Sequence, residues 1–500
     1  MRPRRVVIVG YGMAGARLAE QVRARDPEGG RVALTVVGAE PWPAYNRVLL
    51  SGVLAGTMTA ADIALHDPAW ARGNRVRLRL GARAVRLDRA ARTVRLADGA
   101  SIGYDALVLA TGSRPWLPPV EGLADDRGEP AEGVATLRDL DDCLRIVDQA
   151  RPGVPVAVLG GGVLGVETAL GLARRGAGVT LIHPADHLME RHLDRTAGMI
   201  LAALCRAAGV RAVTGRAAVR YYPGEGVKLE DGAFVPAAVT VVTAGVRPET
   251  GLAADAGLAV DAGIVVDDRL RTADPLIHAI GDCARAGRAP QGLVQPAWEQ
   301  AAVLADLLTG ADGTARYRAG PVVTRLRAGD VDLTAFGETH LEADLTALGE
   351  THLESDSPRA EVLSYVDPAR GTYAKLALAD DRVIGAIVLG LPDAAATLTQ
   401  LHDTGGPAPG DRPALLFGRA LPQAVADDPA RLPDSATVCR CNSVTKADLV
   451  RAARSVGGDL GALMGATRAA TGCGDCLRTV RRLAERLEDD SGNTTEGTGT

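Results

Sequence analysis

The chain repeatedly sets a short, wholly apolar run against a longer stretch with apolar residues at helical spacing. Val6-Val7-Ile8-Val9 is the first run, and four apolar residues without alternation read as a strand buried on both faces. It passes through Gly10-Tyr11-Gly12-Met13-Ala14-Gly15 into a helical pattern over 16–24. Residues 32–40 read as the second strand, and 42–51 show no period. Residues 75–80 and 92–96 read as short strands, with Asp98-Gly99 as a turn. Tyr104–Leu109 is again apolar and ends in Ala110-Thr111-Gly112. The pattern then restarts: Val156–Leu159, Gly160-Gly161-Gly162-Val163-Leu164-Gly165, a helix, and a strand over 179–183. Further apolar strands lie within 239–248, turning at Gly245, and within 272–282, ending in Gly281-Asp282. Gln295 opens a helix.

From 313 the texture changes to short strands at 321–326, 361–366, 373–378 and 383–389, which predict a separate α+β domain. Inside it, residues 333–344 are repeated at 345–356 with two differences, a 12-residue duplication too short to make a solenoid. His340, His352, Glu338 and Glu350 recur through that duplication, and a copied surface loop accounts for them without a metal site. Residues 403–437 are rich in Pro, Gly and Asp and read as a linker with one apolar knot at Leu415-Leu416-Phe417. Helical patterns follow at 446–455, broken by Gly457-Gly458, and at 477–487, before a polar tail.

Each Gly-x-Gly-x-x-Gly sits where a strand becomes a helix. The first glycine permits the tight turn, the second lets backbone approach a pyrophosphate, and the third lets helix and strand pack closely. The helix N-terminus offers unpaired N–H groups and a partial positive charge to the phosphates. Two such units about 150 residues apart predict two dinucleotide sites. An acid closing the second strand holds the adenosine ribose. In the first unit Glu40 is the candidate, because Ala39 stands where the acid is usual. In the second unit the strand ends in His183, which leaves NADH against NADPH open. Arg47 reads either as a partner for phosphate or flavin carbonyls or as a surface arginine. Asp282 reads either as an acceptor for a ribityl chain or as a turn cap.

Composition narrows the class. The 500 residues exceed one core, and 47% hydrophobic with 23% charged is ordinary globular composition. A net charge of −5 gives no support to nucleic-acid binding. The apolar run after Met1-Arg-Pro-Arg-Arg5 is too short for a signal peptide, and no run approaches 18 apolar residues, so a cytoplasmic location and no membrane contact are expected. Four of seven cysteines crowd the last 62 residues as Cys439-x-Cys441, 31 residues, then Cys473-x-x-Cys476. Four thiolates hold a [2Fe-2S] cluster or a zinc ion. The C-x-C pair is tighter than structural zinc pairs, which favours iron–sulfur over zinc or a redox dithiol. Nine Lys or Arg against four Asp or Glu over 438–487 suit a cluster anion or an acidic partner, or are solvated helix faces. Cys143 and Cys205 fall in helical patterns and read as core residues, as does Cys283 in preference to a flavin contact. No cysteine precedes residue 143, which disfavours thiol–disulfide chemistry.

Together Gly10–Gly15, Tyr45–Ser51, Ala110–Gly112, Gly160–Glu167, Gly281-Asp282 and Pro296–Gln300 resemble the pyridine-nucleotide:FAD oxidoreductases. His183 to Asp194 and the cysteine quartet are similar to the N-terminal half of the NAD(P)H nitrite reductase large subunit and to the electron-transfer subunit of assimilatory nitrate reductase. The last module resembles the bacterioferritin-associated-ferredoxin [2Fe-2S] domain. The resemblance implies an α/β fold with two Rossmann-like domains, a small α+β domain and a helical iron–sulfur module. It implies an FAD-binding domain at 1–116 and 245–312, an NAD(P)H-binding domain at 117–244, the small domain at 313–400, a linker at 401–437, the cluster domain at 438–487 and a disordered tail at 488–500. FAD would lie across Gly10, Gly12, Gly15, Glu40, Arg47, Thr111, Gly112 and Asp282. NAD(P)H would lie on Gly160, Gly162, Gly165, His183 and Gly245, with Glu167 near the nicotinamide, and Cys439, Cys441, Cys473 and Cys476 would hold the cluster. No protein residue is expected to act as a general base. Gly52 stands where relatives often carry a lysine, which removes a charge pair near the flavin. The expected partner is a separate terminal reductase for nitrate or nitrite, because the sirohaem half of a nitrite reductase is missing and the chain should not reduce nitrite alone; a homodimer fits as well.

Overall fold

The computed structural model describes residues 2–67, 69–287, 292–341, 360–418, 432–434, 436–439, 444–470 and 476–492. The second copy of the duplication, the tail from 493, Cys441 and Cys473 lie outside the described residues. The chain divides into two compact units, one of Met1–Leu50, Met58–Trp116 and Val246–Gly320, the other of Ser51–Thr57, Leu117–Gly245 and the chain from Pro321.

The first unit is built on five parallel strands in the order Ile277–Ala279, Ala106–Leu109, Arg4–Val9, Val32–Val37 and Arg77–Arg79. Val6 to Val9 and Ala106 to Leu109 are buried along their length, as central strands covered on both faces must be. The helix Met13–Arg25 turns Ala16, Leu18, Ala19 and Val22 inward and packs on the helix Val294–Thr309, which Gly310 ends in the left-handed region. Each fully buried Leu, Ile or Val here contributes about 1.5–3 kcal/mol. Ala84–Asp88, Thr93–Leu96 and Ser101–Gly103 form a three-stranded antiparallel sheet inserted between the strands Arg77–Arg79 and Ala106–Leu109. Tyr317 is buried in this core, so 313–320 packs with the first unit; the change of texture at 313 precedes the structural boundary.

The second unit repeats the plan. Arg211–Thr214, Gly178–His183, Pro155–Leu159, Val239–Val242 and Val134–Thr136 make a five-stranded parallel sheet, with a three-stranded antiparallel sheet from Ala218–Tyr222, Gly226–Leu229 and Phe234–Pro236. The expected strand over 239–248 is two strands, Val239–Val242 and Val246–Pro248, parted at Gly245 with φ +112°. The stretch without period at 42–51 leads into a short helix, Leu50–Ala55, whose part from Ser51 belongs with the second unit. Six residues are too few for a helical period to show. Arg175 completes that helix by donating to the carbonyls of Leu54 and of Val53 (3.1 Å), the second of which also accepts from the Gly56 N–H at 3.1 Å.

The α+β domain is one antiparallel sheet ordered Val323–Ala328, Val331–Gly337, Arg382–Leu389, Thr372–Ala379 and Glu361–Asp367. The strand Val331–Gly337 was not among the expected ones, because its first residues run into the repeat. The helix Pro392–Thr404 covers the sheet, and Leu398, Leu401, Ala408, Leu415 and Leu416 share its core with Phe336, Leu376 and Val388. The linker expected from 401 is therefore corrected up to Leu416: these apolar residues are too sparse for a sequence period yet pack into the sheet. Farther on, Thr437–Cys439 and Val444–Thr445 pair as a small ribbon, followed by helices Lys446–Val456, Leu460–Thr467 and Leu477–Gly492. A capping box between Thr445 and Asp448 starts the first of these, and Gly457 at φ +78° stops it.

Candidate functional site

In the first unit Gly10 takes φ +112°, and a side chain there would start 2.0 Å from the Ala110 carbonyl oxygen. A Gly15 side chain would start 2.0 Å from the Gly10 carbonyl oxygen. Strand end, helix start and the Ala110-Thr111-Gly112 crossing thus touch backbone to backbone. Gly12 is the N-cap of Met13–Arg25 with no side-chain cap, which leaves the first-turn N–H groups to an anion. The Arg47 guanidinium stands 3.6 Å from where a Gly12 side chain would begin. It forms an ion pair with Glu40, whose other carboxylate oxygen accepts from the Tyr45 hydroxyl at 2.5 Å. The structure therefore brings Arg47 and Glu40 together over the glycine loop. Glu40 does not close a strand, as expected, but follows its end at Val37 by three residues.

Thr111 and Gly112 lie on the crossing, but the Thr111 hydroxyl donates to the Glu249 carbonyl at 2.7 Å, and the Gly112 carbonyl accepts from the Glu249 N–H at 2.9 Å. Their side of the site is backbone and not hydroxyl. Asp282 is half-buried and accepts from the Ser113 hydroxyl at 3.0 Å. Gln300 holds the Gly281 N–H at 2.7 Å, a contact that sequence reasoning missed although Gln300 lay in a quoted motif. Cys283 is fully buried, its thiol pushed up by burial and directed at the Leu109 and Ile280 carbonyls, which is a packing role. Burial also pushes Cys143 up to about 11 and Cys205 up to about 12, far from a reactive thiolate.

In the second unit Gly160 takes φ +116°, and a Gly165 side chain would start 1.7 Å from the Gly160 carbonyl oxygen. Gly162, again an N-cap without a side-chain cap, and Gly245 both face open space, with no atom within 4 Å of a side chain built there. Bare backbone and a helix start toward unfilled space fit a pyrophosphate. Glu167 lies on the helix Val163–Arg174, half-buried, and desolvation pushes its carboxyl up to about 8 although the Ser51 hydroxyl donates to it. Sequence reasoning missed Ser51, whose short helix is what brings it to Glu167. His183 closes its strand as expected and is buried.

In the last domain Cys439 and Cys476 are both buried in one small core with Val444, Leu449, Leu463 and Val480. Arg468 and Ala470 take left-handed backbone, φ 59° and 63°, and the turn aims the Ala470 N–H at the Cys476 sulfur, 3.1 Å away. Buried sulfurs that receive backbone N–H bonds suit thiolates of an iron–sulfur cluster.

Two glycine loops on two parallel sheets, followed by a buried cysteine core, define a class. The pyridine nucleotide-disulphide oxidoreductase family model matches residues 4–302, and the BFD-like [2Fe-2S] binding domain matches 437–486. The chain belongs to that oxidoreductase family, and its cofactors are FAD, NAD(P)H and a [2Fe-2S] cluster. It is 32% identical over 493 residues to nitrite reductase [NAD(P)H] of Bacillus subtilis (strain 168), covering 97% of this chain and 58% of that one. It is 29% identical over 490 residues to the assimilatory nitrate reductase electron transfer subunit of the same organism, covering 97% of this chain and 60% of that one. The chain thus spans little more than half the length of these curated relatives. Among solved structures, the covalent putidaredoxin reductase–putidaredoxin complex aligns with a TM-score of 0.71 and 28% identity, over 86% of this chain and 99% of that chain. Among the described residues no helix is long and apolar enough to cross a membrane.

Proposed function

We propose that the chain is an electron-transfer flavoprotein that takes a hydride from NAD(P)H and delivers single electrons, through its cluster, to a separate terminal reductase acting on nitrate or nitrite. The observation that carries this is the joining, in one chain, of two dinucleotide units and a cysteine module, aligned over 97% of its length with a relative named as an electron transfer subunit. Bound FAD supplies a hydride acceptor that can release electrons one at a time, and the cluster a one-electron carrier. The residues of the chain supply position and potential. Gly10, Gly12 and Gly15 receive the FAD pyrophosphate, Arg47 and Glu40 flank it, Thr111 and Gly112 offer backbone, and Asp282 takes the ribityl side. Gly160, Gly162, Gly165 and Gly245 receive NAD(P)H, and Glu167, protonated at neutral pH, offers a hydrogen bond to the nicotinamide amide. Cys439, Cys441, Cys473 and Cys476 hold the cluster, and the Ala470 N–H bond to Cys476 raises its potential. Domain limits follow the same reading: FAD at 1–116 and 246–320, NAD(P)H at 117–245, cluster at 438–487.

The test is anaerobic. Adding NADH or NADPH to the purified full chain should bleach a flavin spectrum and then produce a cluster signal in electron paramagnetic resonance. Reoxidation by a sirohaem nitrite reductase or a molybdenum nitrate reductase, faster than by unrelated acceptors, supports the named partner. A flavin that bleaches while the cluster stays oxidised overturns the route. A second reading, reductase for a small iron–sulfur protein, is favoured by the alignment with putidaredoxin reductase. Fast reoxidation by a small ferredoxin and not by either reductase would select it.

A further inference from the structure

The ribose end of the second loop has an acid that does not sit at the strand end. His183 closes the strand, and both of its ring nitrogens are engaged. The Gly161 N–H donates to Nδ1 at 3.1 Å, which leaves the proton of the neutral ring on Nε2, 2.8 Å from Glu190 Oε2. The imidazole can lie against the loop because Gly161 has no side chain; one built there would start 2.7 Å from His183 Cγ. The chain returns Glu190 to this point by a fixed path. Met189, buried and left-handed at φ 56°, donates its N–H to the Gly161 carbonyl at 2.9 Å, so the Gly161 peptide is held on both sides. Leu188 and Leu193 are buried on either side, and Asp194 is tied by the Lys375 ammonium (3.0 Å) and the Tyr373 hydroxyl (2.6 Å).

We propose that Glu190, positioned by His183, is the carboxylate that binds the adenosine ribose and selects NADH over NADPH. The inference rests on reading Gly160–Gly165 as the pyridine-nucleotide loop. In such a unit the 2′-hydroxyl of the ribose reaches a carboxylate beside the second strand, and a 2′-phosphate is repelled by it. His183 is no phosphate donor, since its one N–H is given to Glu190. Oε2 of Glu190 is taken by His183, while the side chain is 33% exposed and Oε1 pairs at 3.7 Å with Arg191, which is 85% exposed. A part-exposed carboxylate with one oxygen anchored by the buried histidine and the other in only a loose surface pair, which a ligand can displace, is arranged to accept the ribose hydroxyl.

Equilibrium titration of the flavin-loaded full chain with NAD⁺ and NADP⁺ tests this without turnover. NAD⁺ should bind tighter by about 100-fold, and Glu190→Gln should narrow the ratio to within about tenfold. Glu190→Arg should reverse it. His183→Ala should narrow the ratio as well, and His183→Asn, which keeps a donor toward Glu190, should restore part of it. Flavin content and far-ultraviolet circular dichroism verify folding; if Glu190→Arg loses flavin, Glu190→Gln carries the test. Wild-type protein that binds NADP⁺ as tightly as NAD⁺ overturns the inference and assigns the subsite to Arg191. An unchanged ratio in Glu190→Gln overturns it too. If neither nucleotide binds, the reading of the loop itself fails.

Discussion

The two glycine loops are near copies in backbone and different in everything that flanks them. Both have a first glycine near φ +112 to +116°, a third glycine whose side chain would collide with the first glycine's carbonyl, and an N-cap with no side-chain cap. Over Gly12 stand Arg47 and Glu40, paired with each other. Around Gly162 there is open space, and the nearby acid is brought by a histidine and a left-handed methionine. The difference teaches that a fingerprint fixes where a pyrophosphate goes, by backbone geometry, and leaves the rest of the ligand to side chains from distant segments. A cofactor held permanently suits the flanked loop, and a substrate that must leave each cycle suits the open one.

The largest effect expected from breaking this comparison is at the third glycines. Gly15→Ala should give protein without flavin, whereas Gly165→Ala should keep flavin and lose NADH-driven reduction by more than about 100-fold, as read by absorbance and stopped-flow. A Gly165→Ala protein that loses flavin and keeps nucleotide binding would reverse the assignment of the loops. Next is the support of the second loop. Lys375→Met leaves Asp194 without its ammonium in a largely buried place, and denaturant unfolding should show a loss of about 2–4 kcal/mol. Burial pushes the Asp194 carboxyl up, but the Ala197 N–H, the Tyr373 hydroxyl and the Lys375 ammonium outweigh it and hold it below the ordinary carboxylate range, so Lys375→Met should move it upward.

A smaller effect concerns Glu167. Its carboxyl is raised to about 8, so between the unfolded value near 4.5 and 8 the folded chain holds a proton that the unfolded chain releases. That stability is fully present below pH ~4.5 and lost as pH rises through 8. Thermal melts of nucleotide-free protein from pH 5 to 9 should show this fall, on the order of a few kcal/mol, and Glu167→Gln should flatten it. The smallest effect is at the flank of the first loop. Arg47→Ala should weaken flavin retention by about tenfold, a loss typical of one charge-assisted contact, and leave NAD⁺ affinity unchanged in equilibrium titration.

Much of this architecture was legible in the chain. The parallel strands are apolar runs because their faces are covered on both sides, and each glycine loop is a local turn whose steric needs only glycine meets. The cysteine module was legible because four cysteines in two close pairs carry a ligand chemistry that the spacing alone displays. What escaped was short, sparse or remote. Leu50–Ala55 is too brief for a period, Leu401–Leu416 contributes scattered apolar residues to a sheet, and the strand Val331–Gly337 runs into a repeat. Glu40 was identified as an acid near the strand, but its pairing with Arg47 depends on a loop that returns over Gly12.

By itself, then, the sequence determined the elements whose causes are local: two strand–glycine–helix turns, their order, most of the sheet strands and four closely spaced cysteines. Only the tertiary structure decided which residues meet across the chain. Ser51 reaches Glu167 because a six-residue helix crosses to the second unit, and Glu190 reaches His183 because Met189 accepts a left-handed backbone that the Gly161 carbonyl repays with a hydrogen bond. Such meetings depend on packing over tens of residues, where no spacing rule in the linear pattern operates.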